Sequence, residues 1–205
     1  MRAALQKAGE CTDFAASPER VFWDWFVEHE EMLWDLEDEP DPAFHALLAA
    51  MERVDKDLAL DVGRKHGGRR ELIVSASGDL ALFAAVVRLV EAAPPLERWT
   101  VRAFRQRRPL VGELVLGGVT VRLREVRFAA QPAGGRLDVR IFIPGYRWTP
   151  LHEFVHAAAV LLETVLGEFD AETRIGRVHV GPPQPHVRSQ PLSELPDLVD
   201  ALTGN

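Results

Sequence analysis

The hydrophobic pattern of this chain spells strand, strand, helix, strand, and then spells it again roughly 65–75 residues later. Residues 58–62 alternate apolar and polar, as a half-buried strand does. A loop at 64–69 holds Gly67 and Gly68, and a second strand follows over 71–77. Gly78-Asp79 opens a helix whose stripe is Leu80, Phe83, Val86, Val87 and Val90; Pro94-Pro95 stops it before a strand over 99–104. In the second copy, strands at 113–116 and 119–128 flank Gly117-Gly118, and 137–143 is a further strand. A helix then spans 150–166, and a strand 174–180. A helix that leaves a strand pair and returns to a strand must lie over the sheet. The pattern therefore predicts an α+β fold: a mostly antiparallel sheet with helices on one face, in two strand–strand–helix–strand halves.

Two helices precede the first half. Ser17-Pro18-Glu19 supplies a cap, a first-turn proline and an acid at the positive end of the helix dipole. That helix is predicted to run to about residue 37, with Phe22, Trp25, Phe26, His29, Leu33 and Leu36 on one face and Trp23 and Trp34 off it. Asp41-Pro42 caps a second helix bearing Phe44, Leu47, Leu48, Met51 and Val54. The expected organisation is one α+β domain over 1–205: a helical segment at 17–56, halves at 57–108 and 109–182, and a linker with a short helix at 183–205.

With 47% hydrophobic residues the chain can bury a sizeable core. No apolar run approaches the roughly 18 residues a membrane span needs. Residues 1–16 lack the apolar stretch of a secretory signal. The single cysteine, Cys11, forms no internal disulfide and suits a reducing compartment. The expectation is a cytoplasmic protein without membrane partners. Charge is segregated: residues 1–62 hold 16 acids and 5 bases, 63–147 hold 16 bases and 7 acids, and the rest 8 acids and 3 bases. The acidic helices either pair with the basic middle or leave it facing an anionic partner; the overall charge of −7 favours the internal pairing.

One string carries catalytic chemistry. His152-Glu153-Phe154-Val155-His156 sets two imidazoles one helical turn apart beside a glutamate, the arrangement by which zinc hydrolases hold metal and activate water. His152 and His156 are the candidate metal ligands and Glu153 the candidate base. The context argues against it. Thr149-Pro150 puts His152 in the first helical turn, and Leu151, Phe154, Val155, Ala158, Leu162, Val165, Leu166 and Phe169 form the apolar arc. The histidines then share a polar flank with Glu163, which lies about 10 Å further along the axis, too far for a third ligand. His179 is expected on the far side of its strand; Glu168, Asp170 and His186 have no metal-ligand spacing.

Arg98-Trp99-Thr100-Val101-Arg102-Ala103-Phe104-Arg105-Gln106-Arg107-Arg108 interleaves cations and aromatics. Arg102, Arg105, Arg107 and Arg108 are candidate anion ligands, for RNA phosphates in particular. The competing reading pairs them with the acidic segments. The glycine pairs sit between strands and do not form a phosphate loop. His29 and His45 lie in helical stripes as packing or surface groups, and Trp148 beside Tyr146 is a candidate groove lining.

Several segments resemble an uncharacterised family of bacterial proteins: Trp23-Asp24-Trp25-Phe26, Glu71-Leu72-Ile73-Val74-Ser75-Ala76, Leu166-Gly167-Glu168-Phe169-Asp170-Ala171-Glu172-Thr173-Arg174-Ile175-Gly176 and Pro191-Leu192-Ser193-Glu194-Leu195. The resemblance covers about 21–200 and implies no activity. Physically, Gly167 suits a left-handed helix end, after which Phe169 tucks back and Asp170 and Thr173 brace a turn; Glu168 and Asp170 are secondary ligand candidates. The reading that results is a non-catalytic binding or interaction module with an unknown protein or small-molecule partner and no cofactor. A zinc-dependent hydrolase is the alternative, with zinc as its only cofactor, and an RNA-binding or RNA-regulatory protein is the second alternative.

Overall fold

The computed structural model describes residues 16–36, 41–116, 118–147 and 151–203. Cys11, Trp148 and the Thr149-Pro150 cap lie outside them. Among the described residues the fold is α+β, with seven α-helices and nine strands. The strands divide among three sheets: β1-β2-β3, the hairpin β4-β5, and β8-β7-β6-β9.

The first lobe opens with α1 (Pro18–Glu28), capped by Ser17, whose hydroxyl accepts from the Arg20 N–H. The predicted long helix breaks at His29, and α2 (Glu30–Trp34) continues it. Trp23 is buried, contrary to the simple stripe, because its indole N–H donates to the Leu89 carbonyl at 2.7 Å. Trp25 instead stacks on His29 at the half-exposed flank. Helix α3 (Pro42–Met51) is capped by Asp41. Strands β1 (Ala59–Val62) and β2 (Arg70–Ser75) pair antiparallel; α4 (Phe83–Glu91) crosses back, and β3 (Trp99–Ala103) pairs parallel to β2. Phe22, Phe26, Leu33, Leu47, Leu60, Leu72, Val74, Val86, Leu89 and Trp99 share one core, so all four helices lie on one face of this sheet.

Arg70 is buried within that core region. Its guanidinium donates to the carbonyls of Leu33, Trp34 and Leu36 at 3.2, 2.9 and 2.8 Å, and to Gly63 O at 2.9 Å. These include the orphan carbonyls at the end of α2, so the arginine serves as a remote C-cap. Burial pulls its pKa down, against the pull of Asp35 and Asp41.

The second lobe repeats the topology after the hairpin β4 (Glu113–Leu116) and β5 (Val119–Arg122). Strand β6 (Arg127–Ala133) turns at Gly134-Gly135 into the antiparallel β7 (Arg136–Phe142). The predicted strand over 119–128 is thus two strands, separated by a 3-10 turn at Leu123–Glu125. Helix α5 (Leu151–Leu166) crosses back, and β8 (Ile175–Gly181) pairs parallel to β7. Between them lies a helix where the sequence predicts a turn: α6 (Glu168–Arg174). The chain then reaches the opposite edge, where β9 (Gln190–Pro191) pairs with β6, and ends in α7 (Leu195–Thr203). Leu137, Val139, Ile141, Phe154, Leu161, Val165, Leu195 and Val199 form the second core, so α5 and α7 share a face of the sheet; on its other face Phe142 is buried and Arg140 exposed.

The charge segregation resolves largely within the molecule. Glu19 pairs with Arg88, Asp35 with Lys65, and Glu30 and Glu31 with Arg98. The N-terminal acids thereby pair with bases on α4, in the loop before β2 and just ahead of β3.

Candidate functional site

The two lobes meet at the start of α6. Gly167 has φ 75°, which turns the chain out of α5 and presents Glu168 to the first lobe. Glu168 is 1% exposed. Its Oε1 accepts from the N–H of Ala76 at 2.8 Å and of Gly78 at 3.3 Å, and its Oε2 from Arg105 N–H at 3.1 Å. A buried carboxylate needs such donors. Among the described residues, the two non-glycine residues with positive φ, Ser77 and Phe104, flank these contacts. Each costs about 1–3 kcal/mol and persists only where its surroundings fix it. Phe104 is fixed by Phe83 and Phe169, with ring centroids 4.5 and 5.5 Å away. Phe169 therefore packs on the first lobe and does not tuck back onto α5.

The arginine run ends at the same junction. Arg102 pairs with Glu71 at 2.7 Å; Arg105 pairs with Asp61 at 2.6 Å and Glu163 at 3.3 Å. Arg107 binds both oxygens of Asp200, at 2.7 and 2.9 Å, and Asp170 at 2.6 Å, and its Nε donates to Leu166 O. These carboxylates, Asp200 foremost, raise the Arg107 pKa further. Arg108 is tied by its backbone, donating to Thr164 O at 2.7 Å. Of the candidate anion ligands, Arg102, Arg105 and Arg107 are thus committed to carboxylates of this chain. Glu168 and Asp170 are committed in turn, to backbone N–H groups and to Arg107.

Beside the junction runs a groove of about 650 Å3. Val155, His156, Val160 and Glu163 of α5, Glu172 of α6, Val178, His179 and Val180 of β8, and Ser77, Gly78 and Leu80 of the first lobe line it. Its aliphatic groups are unusually open: Leu80, Val155, Val160 and Val178 are 46, 50, 46 and 41% exposed. Apolar groups clustered in a concave surface are the usual mark of a binding site. Burial, together with Glu163 and Glu168, pushes the Glu172 carboxyl above the ordinary glutamate range.

The groove also borders the outer edge of β8. Arg177 N donates inward to Asp138 on β7, and Gly181 O accepts inward from Ile143 N. Strand alternation then turns the backbone groups of Val178 and Val180 outward. At seven residues β8 is longer than the edge strands β1, β3 and β9, of four, five and two.

His152 and His156 are both exposed on α5, His156 at the groove and Glu153 half-buried between them. His179 sits on β8, in register with Arg140 of β7. Among the described residues no three His, Cys, Asp or Glu side chains converge closely enough to hold a metal ion. The motif thus supplies two imidazoles of a polar flank with no third ligand gathered to them.

No family model, curated protein or solved structure matches the chain. The functional reading rests on the site itself. No helix among the described residues is long and apolar enough to cross a membrane.

The groove was not legible in the sequence as a site. Its aliphatics come from both lobes, and the helical stripes that hold Leu80 and Val155 predict burial where both are open. The one local signal was the acid at 168, placed between apolar Leu166 and Phe169 directly after a glycine.

Proposed function

We propose that this protein is a non-catalytic binding module that receives an extended peptide along the outer edge of β8. The observation that carries this is a seven-residue strand edge beside a groove with four open aliphatic side chains. A peptide strand gains main-chain hydrogen bonds from such an edge, while alternate side chains enter the groove. The outward N–H and C=O groups of Val178 and Val180 supply the bonds. Leu80, Val155, Val160 and Val178 supply the apolar pockets. Glu172, at the α6 end, favours a basic or hydrogen-bond-donating side chain on the peptide.

A random nine-residue display library selected on the full chain tests this reading. Binders with alternating apolar residues are expected. Val178→Pro removes the outward N–H, a change that edge strands tolerate. It should weaken the selected peptides by about tenfold or more, since 1.4 kcal/mol is tenfold, with the melting temperature little changed. A library that yields no binder, or binders indifferent to Val178→Pro, overturns the reading.

A further inference from the structure

The face of the second sheet that α5 and α7 leave open carries its own constellation. Register places Ala129 of β6, Arg140 of β7 and His179 of β8 side by side on that face, with Gln131 and Asp138 in the next row. Arg177 projects from the same face. The crossover at 182–189 passes from β8 to β9 on the opposite edge, bringing Val187 to the wall of the depression so formed. The depression measures about 410 Å3, and the small Ala129 gives it depth.

Its electrostatics are one-sided. Asp138 is the only carboxylate among the lining residues, and it is already engaged. Its Oδ1 accepts from Arg177 N at 2.8 Å, and its Oδ2 from Arg177 Nε and Nη2 at 2.9 and 2.7 Å. Those bonds, the backbone one first, hold its carboxyl below the usual range. Arg140 is exposed and, among the described residues, makes no ion pair or side-chain hydrogen bond. It is an uncommitted guanidinium with an imidazole on the adjoining strand, in contrast to the paired arginines at 98–107. A planar fork of donors suits the oxygens of a phosphate. No exposed aromatic lines the depression, so it offers no stacking platform for a nucleic-acid strand. Its volume is that of a small-molecule site.

We propose that this open sheet face is a binding site for a small phosphorylated molecule, its phosphate held by the Arg140 fork with His179 beside it and Gln131 available to the rest of the ligand. The site adjoins the peptide groove across β8, where His179 lines both, and the groove lies toward the helices on the other side of that strand.

Titration of the full, nitrogen-15-labelled chain with ribose 5-phosphate, followed by amide shifts, tests the proposal. Saturable shifts are expected at Ala129, Arg140 and His179. Arg140→Ala should weaken binding at least about tenfold, the scale of one charged hydrogen-bond pair. Arg124→Ala, an exposed arginine elsewhere, should leave it unchanged and the spectrum of either variant folded. Parallel titration with citrate separates phosphate from carboxylate recognition. No saturation below about 10 mM, binding untouched by Arg140→Ala, or tighter binding of citrate would each overturn the proposal.

Discussion

Glu168 and Arg105 hold each other reciprocally: Glu168 Oε2 accepts from Arg105 N at 3.1 Å, and Glu168 N donates to Arg105 O at 2.9 Å. This exchange, between residues 63 positions apart, ties the start of α6 to the end of β3. It joins the two lobes beside the groove. The side-chain half of the exchange is open to mutation.

Glu168→Gln replaces one acceptor oxygen with an amide NH2, a donor that faces backbone N–H groups. The variant should lose about 2 kcal/mol of stability, the cost of unsatisfied buried donors. Urea denaturation measures it, with the exposed Glu91→Gln as a control expected within about 0.5 kcal/mol of the parent.

Gly167→Ala tests the same junction through the backbone. A Cβ there would lie 2.9 Å from Arg105 O, at a φ of 75°. A loss of at least about 2 kcal/mol is expected from the combined strain and contact. Gly181→Ala meets no atom within 4 Å and has an ordinary φ, so it should cost less than about 1 kcal/mol in the same assay.

Glu172 gives a pH signature. Its folded carboxyl titrates above the unfolded one, mainly through burial and then through Glu163 and Glu168. As pH rises from the ordinary glutamate range through the raised value, the unfolded chain loses its proton first, so stability falls across that window. Glu172→Gln removes this decline. Above the window the variant should exceed the parent by roughly 0.5 kcal/mol, a modest gain because the side chain is partly solvated. Stability curves at several pH values decide it; a variant less stable than the parent at neutral pH contradicts the assignment.

The His-Glu-x-x-His helix should bind no stoichiometric zinc, because two exposed imidazoles gather no third ligand among the described residues. Elemental analysis of protein purified without chelator checks this. One equivalent of zinc, lost in His156→Ala, would restore the hydrolase alternative.

Much of the fold could be read from the chain because its signals are local. Ser17 and Asp41 cap the helices they were expected to cap, and the alternation in 58–62 and 137–143 follows the two faces of a strand. What was missed is nonlocal. Trp23 lies off a simple stripe and is buried only because a carbonyl 66 residues away accepts its N–H. Residues 168–174 look like a turn after Gly167, yet they form a helix whose first side chain is anchored in the other lobe. The arginines at 98–107 read as an anion surface until their carboxylates are located. The groove follows from how two cores pack side by side, which no periodicity records.

The β8 edge is the proposed working surface. Amide hydrogen exchange of the full chain, with and without a library-selected peptide at saturation, tests this most directly. Marked slowing is expected at Val178 and Val180, whose N–H groups face outward, and little change at His179, whose amide already faces β7. Unchanged exchange at Val178 and Val180 while the peptide is bound, or protection centred away from β8, would contradict it.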